Sequence, residues 1–321
     1  MSKRILVCGA GGFIGSKLVT SLKEQGHYVI GADVTTPRYE TTGADKFFCY
    51  DLTNAVLVDE LVSMEIDEIY QLAADMGGAG YIFTGENDAN IMSNSAAINI
   101  NILNSMVAHN VTDVFYSSSA CAYPEFNQVD PESPLCAEYS VYPAMPDSEY
   151  GWEKLFSERL YASYSRNYNL RVRIARLHNV FGPCGSWDNG KEKAPAALCR
   201  KVAEASPENN NVVEVWGPGN QTRSFLYIDE AIKGIHHIMA SDYNKPVNLG
   251  SSTMIAMNDL ALLIASIANK EISIRNIPGP VGVMGRTSDN ALIEKVTNWT
   301  PDEDLESGLR KTYTWINGQL G

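Results

Sequence analysis

The chain has 321 residues, 45% of them apolar, enough to bury one large core or two smaller ones. Asp and Glu number 38 against 25 Lys and Arg, a formal charge of −13, which argues against a nucleic-acid partner because neutralising phosphates supplies most of that affinity. No apolar run reaches the ~18–20 residues that span a bilayer, so no membrane partner is expected either.

The first half alternates strand and helix patterns. Arg4–Cys8, Tyr28–Ala32, Glu68–Leu72, Val114–Ser118 and Arg171–Arg176 read as strands. Between them, Phe13–Glu24, Asn54–Ser63, Asp88–His109 and Tyr150–Ser165 carry helical periodicity. Such alternation predicts an α/β fold, a doubly wound parallel sheet of Rossmann type with both faces covered. Further on, Val212–Trp216 and Pro246–Leu249 read as strands, and Asp229–Met239, Asn258–Ala268 and Leu305–Asn317 as helices. Residues 182–193 and 276–290 read as loops that close over something. A smaller C-terminal substrate-binding domain is expected: about 179–222 with 251–321, beside a dinucleotide domain of 1–178 with about 223–250.

Cys8, Cys49, Cys121, Cys136, Cys184 and Cys199 lack C-x-x-C spacing, and the five histidines lack ligand spacing. No metal site or disulfide framework is expected, and a reducing cytoplasm suits these thiols. The opening residues before Gly9 do not read as a signal peptide.

Gly9, Gly12 and Gly15 directly follow the first strand. Glycine suits a tight turn, close approach to a pyrophosphate and close helix–strand packing, and the helix start offers N–H groups to the anion. Asp33, 18 residues after Gly15, ends the second strand, where a carboxylate binds ribose hydroxyls and repels a 2′-phosphate. NAD is the expected cofactor; Arg38 could pair with a phosphate, so NADP stays open as the weaker alternative. Tyr150 and Lys154 are four apart and share one helix face. A nearby ammonium is expected to lower the Tyr150 pKa, and Ser119, at the end of the preceding strand run, could bind the same substrate oxygen.

Glycine fingerprint, strand-end serines and Y-x-x-x-K, in that order, resemble the extended short-chain dehydrogenase/reductases, the NAD-dependent epimerase/dehydratase family. The segments Ala73–Gly78, Ser118–Phe126, His178–Pro183, Glu192–Ala197, Gln221–Phe225 and Gly285–Asn290 are similar to those of its GDP-mannose 3,5-epimerases. That resemblance implies inversion of C3 and C5 of GDP-mannose, or a closely related GDP-sugar, through transient oxidation at C4. The products would be GDP-L-galactose or GDP-L-gulose. Cys121 would be the base and Lys193 the acid on opposite ring faces, beside Tyr150, Lys154 and Ser119. Phe13, Ile14, Asp51, Leu52, Ala73 and Ala74 would join the glycines and Asp33 at the cofactor. Gly78, Ala120, Asn179, Glu192, Ala194, Lys201, Gln221, Arg223 and Arg286 would bind the nucleotide sugar, the two arginines as forks for a diphosphate. Gly78 would let the sugar approach the backbone. The family also implies a homodimer through a four-helix bundle of the two long helices. Met284 and Tyr142 depart from the plant epimerases, where arginine and tryptophan are expected. A 4-epimerase or 4,6-dehydratase of the same family, and a non-catalytic NAD-binding regulator, remain as rival readings.

Overall fold

The computed structural model describes residues 2–321. Along the chain come β1 (Arg4–Cys8), α1 (Phe13–Glu24), β2 (Tyr28–Asp33), β3 (Lys46–Cys49), α2 (Ala55–Val62), β4 (Glu68–Gln71), the short α3 (Ala79–Ile82), α4 (Asp88–His109), β5 (Asp113–Ser119), α5 (Glu149–Tyr168) and β6 (Arg171–Leu177). Then follow β7 (Val180–Phe181), α6 (Ala194–Glu204), β8 (Val212–Trp216), β9 (Thr222–Ser224), β10 (Leu226–Tyr227), α7 (Ile228–Ala240) and β11 (Pro246–Leu249). The last elements are β12 (Met254–Ala256), α8 (Met257–Ala268), β13 (Ser273–Ile277), β14 (Gly285–Arg286), α9 (Ala291–Thr297) and α10 (Leu305–Leu320). Seven strands pair in the order β11-β6-β5-β4-β1-β2-β3, all parallel. From β1 the chain builds outward through β2 and β3, then returns to build the other way from β4. That reversal opens a crevice at the carboxyl ends of β1 and β4, where sheets of this kind hold ligands.

Side chains alternate along a strand, so β1 serves two cores. Ile5 and Val7 join Leu18, Val19 and Leu22 of α1 and Ile228 and Ile235 of α7. Leu6 and Cys8 join Leu61 of α2, Ile102, Leu103 and Met106 of α4, and Tyr161 of α5. All of these are buried, each contributing roughly 1.5–3 kcal/mol; covering both faces is what an all-parallel sheet requires. The first core continues past the sheet into Leu198 and Val202 of α6, Leu260 and Ile264 of α8, and Leu309 and Ile316 of α10. The C-terminal helices therefore share apolar packing with the sheet.

Several elements escape the sequence reading. β3 is a half-exposed edge strand, too short to show alternation. α6 carries Pro195 in its first turn, which tolerates proline because an N–H there would have no partner in the helix. Within the region expected as a loop at 276–290, Asn276 and Ile277 complete β13, and Gly285 and Arg286 form β14 beside β9. Residues 182–193 are irregular, as expected. No described helix is long and apolar enough to cross a membrane.

Candidate active site

The crevice at the switch point is a cleft of about 780 Å³. Gly9, Gly12, Phe13, Ile14 and Gly15 line it from the β1–α1 turn, and Asp33 from the end of β2. Asp51, Leu52, Ala73 and Ala74 follow β3 and β4 onto its wall, and Tyr150 and Lys154 reach it from α5. A Cβ on Gly15 would fall 2.0 Å from the Gly9 carbonyl oxygen, so α1 packs this closely only with glycine. Gly12 differs: the nearest protein atom to its missing Cβ is Gly9 O at 3.3 Å, so the room it leaves belongs to the cleft. No side chain caps α1, which leaves first-turn N–H groups for an anion. The Asp33 carboxylate accepts from the N–H groups of Gly11 at 3.0 Å and Thr35 at 3.2 Å. Arg38, the alternative partner for a 2′-phosphate, is instead paired with Asp188 at 2.9 Å.

Ser148 caps α5 by accepting from the Gly151 N–H at 3.3 Å, which sets Tyr150 and Lys154 in its first two turns. Both are buried. The Lys154 ammonium donates to the Ser117 carbonyl at 3.0 Å and lies 5.5 Å from the centre of the Tyr150 ring. One expectation is corrected here. Tyr150 is held well above the ordinary phenol range, first by burial and then by the charges of Cys121 and Glu153, with only Ser119 pulling the other way. The ammonium stands against the ring face and makes no hydrogen bond to the phenolic oxygen.

A second cleft of about 360 Å³ adjoins the first, sharing Met76, Gly77, Ser119, Tyr150, Leu177 and Lys193 as walls. Cys121 lies on it, in the short turn Ala120–Ala122 after β5, where Ser119 Oγ accepts its N–H at 3.1 Å. The turn rests on α5 at Gly151, whose missing Cβ would lie 2.2 Å from the Cys121 carbonyl oxygen. β14 brings Arg286 from far along the chain. Its Nη1 donates to Cys121 Sγ at 3.1 Å, its Nη2 to Asp147 at 3.3 Å and its Nε to Gln128 Oε1 at 2.5 Å. Burial works against this guanidinium, but Cys121 and Asp147 outweigh it and hold it above its ordinary range. Lys193 occupies the N-cap position of α6, half-buried. Burial lowers its pKa, with Cys121 opposing and Arg286 assisting.

A family model for the NAD dependent epimerase/dehydratase family matches residues 5–250. The chain belongs to that family. It is similar to GDP-mannose 3,5-epimerase 1 of Oryza sativa subsp. indica, 43% identical over 99% of this chain and 82% of the relative. Similarity to GDP-mannose 3,5-epimerase of Arabidopsis thaliana is 42% over 99% of this chain and 83% of that one. Among solved structures, UDP-glucose 4-epimerase of Thermotoga maritima with UDP-glucose matches with a TM-score of 0.85 and 22% identity, covering 99% of this chain and 100% of the other. At that identity the likeness speaks for the fold alone.

As a member of the NAD dependent epimerase/dehydratase family, the chain is an NAD-dependent enzyme. The glycine cradle, the inward Asp33 and the size of the first cleft fit that cofactor.

The remaining residues read from the sequence as nucleotide-sugar contacts, Gly78, Ala120, Asn179, Glu192, Ala194, Lys201, Gln221 and Arg223, all line the second cleft. Several are already engaged. Asn179 donates to the Ser224 carbonyl at 3.0 Å and Lys201 to that of Glu214 at 2.7 Å. Gln221 donates to the Trp216 carbonyl at 2.7 Å, leaving its Oε1, like Glu192 Oε2, buried without a partner. Arg223 donates to the carbonyls of Thr222, Val281 and Val283; burial, then Arg286, pushes it down to about 10. Both arginines read as diphosphate forks have donors committed inside the protein. Gly78 also has an internal reason to be glycine: its missing Cβ would lie 2.6 Å from the Glu192 carbonyl oxygen. Met284 and Tyr142 line neither cleft. Sequence reasoning missed Gln128, Asp147 and Gly151. Asp147 stands beside a capping serine and reads as an ordinary helix-start carboxylate, and Gln128 carries no local signal.

Proposed function

We propose that this enzyme inverts C3 and C5 of GDP-mannose. The observation that carries the reading is that Tyr150 and Lys193 are walls shared by both clefts, and that Cys121, on the wall of the second, packs against the apolar cluster that holds Tyr150. The likeness to plant GDP-mannose 3,5-epimerases supports it. The glycine turn, Asp33 and Lys154 would hold NAD, which when bound accepts a hydride and returns it. Tyr150, as phenolate, takes the proton of the sugar's C4 hydroxyl as C4 becomes a ketone; having released its own proton to solvent beforehand, it needs the positive charges of Lys154 and of bound NAD to offset the burial that raises its pKa. The ketone acidifies the C–H bonds at C3 and C5. Cys121, as thiolate, removes a proton from one face, and the Lys193 ammonium delivers one to the other. Thiol and amine then regain their starting states by exchange with water, so each inversion takes up a solvent proton. Arg286 gives the thiolate a charged donor, and a Lys193 held below the ordinary ammonium range gives up its proton more readily. Ser119 is assigned to the C4 oxygen, and the other walls of the second cleft to the nucleotide sugar.

Incubation with GDP-mannose in heavy water, followed by NMR of the sugar ring, tests this directly. Deuterium should enter both C3 and C5, and Cys121→Ala should retain C4 oxidation yet suppress uptake. Exchange at neither carbon would point to a 4-epimerase instead.

The NAD-binding lobe is assigned to residues 1–178 with about 223–250, because β11 returns to the main sheet; about 179–222 with 251–321 form the sugar-binding lobe. Homodimerisation through α4 and α5 is supported by their side-by-side packing and by the exposed Ile100, Trp152 and Phe156 they carry. A monomer in sedimentation at micromolar concentration would count against it. Six free thiols support a reducing, cytoplasmic setting.

A further inference from the structure

Lys154 is nearly devoid of solvent contact, a costly position for an ammonium unless it is paired. Its surroundings are the Ser117 carbonyl, the ring faces of Tyr116 and Tyr150 at 5.0 and 5.5 Å, and Glu153 Oε2 at 3.9 Å. Glu153 makes the one ion pair to it among the described residues. Glu158, the other carboxylate nearby on α5, is committed: it takes Arg176 through both oxygens at 2.8 Å and Ser118 at 2.6 Å. From the turn after β5, Cys121 also bears on the ammonium.

Glu153 is itself fully buried. Its Oε1 accepts from Ser157 at 2.6 Å and from Asn99 of α4 at 3.2 Å. Asn99 is fixed in turn by Gln71 of β4 at 2.9 Å and Tyr161 of α5 at 3.2 Å. Oε2 accepts no hydrogen bond at all. A buried carboxylate oxygen left bare calls for a reason, and the unpaired oxygen is the one beside the ammonium.

We propose that Glu153, positioned by Asn99 and Ser157, is the buried counter-charge that keeps Lys154 protonated in its apolar site. This rests on the reading of Tyr150 and Lys154 as the hydride-transfer pair. Burial lowers the Lys154 pKa and Glu153 is the largest opposing influence, in accord with the geometry. Glu153 acts through Lys154 and is a positioning residue.

The test is the pH profile of GDP-mannose conversion by the NAD-loaded enzyme, paired with the fraction of NAD retained through gel filtration as pH rises. In Glu153→Gln the alkaline limb of conversion should move to lower pH by about one to three units, and NAD should be lost at correspondingly lower pH. Glu153→Asp keeps the charge at greater reach and should show a smaller displacement in the same direction. It carries the test alone if the glutamine variant does not fold. Curves that coincide with those of the parent in a folded variant overturn the proposal, as does a loss of amplitude without displacement. Tyr150→Phe separates the two ideas. If it converts substrate normally, the underlying reading fails and the proposal falls with it. If it is inactive while the Glu153 variants keep unmoved curves, only the role of Glu153 is refuted.

Discussion

The first cleft takes its walls mainly from turns that follow β1, β2, β3 and β4 and from the start of α5, whereas the second is closed by residues brought from opposite ends of the chain. Gly9 to Gly15 act within one turn, and Tyr150 and Lys154 within one helix. Cys121, by contrast, meets Arg286 across 165 positions, and Arg286 meets Gln128 across 158. On the proposed mechanism, the hydride side of the chemistry would be built from local units and the proton side from long-range contacts. A substitution far from Cys121 in sequence can dismantle the second cleft and leave the first intact.

Lys193→Ala should draw that distinction most sharply. Overall turnover should fall by roughly 10²–10⁴-fold, while bound NAD is still reduced by substrate, read from the absorbance of the reduced nicotinamide. Loss of that reduction as well would break the separation of the two clefts. Next in size is Arg286→Gln, which leaves the buried Asp147 without its charge partner. Urea denaturation should show a loss of about 3–5 kcal/mol. Arg38→Ala, which removes a more exposed pair with Asp188, should cost about 0–1 kcal/mol. Equal losses would mean that the Arg286 cluster is no more structural than a surface bridge.

Gly151→Ala probes the seam between α5 and the Cys121 turn. The added carbon would overlap the Cys121 carbonyl, so a loss of about 1–3 kcal/mol is expected, together with slower deuterium exchange at C3 and C5. Unchanged exchange would show that the turn tolerates displacement. The smallest effect per step concerns His178, where the chain leaves β6. Its Nε2 bonds to Asn248 at 2.9 Å and its Nδ1 has no partner, and burial pushes its pKa down to about 3. The unfolded chain binds a proton as pH falls through about 6.5, while the folded one does not until about 3. Stability from this group is therefore intact above about 6.5 and declines below it by up to about 1.4 kcal/mol per pH unit. His178→Gln should flatten that part of a denaturation-versus-pH series; an unaltered slope would assign it elsewhere.

Strand–helix alternation, the glycine spacing and the Tyr150–Lys154 repeat are properties of neighbours in the chain, and they pointed to the doubly wound parallel sheet and to the glycine turn, Asp33, Tyr150 and Lys154 of the first cleft. The resemblance to the GDP-mannose 3,5-epimerases, not spacing, supplied the residues that line the second. Neither disclosed how those residues are occupied. Only the tertiary structure set β14 beside β9 and so turned Arg286 onto Cys121, kept Arg223 on backbone carbonyls, and gave Gly78 to the Glu192 loop. It also reversed the direction expected for Tyr150, because burial depends on everything packed around a group and not on the lysine one turn away. Periodicity and turn chemistry travel along the backbone; desolvation and long-range hydrogen bonding arise only once distant segments share the same space.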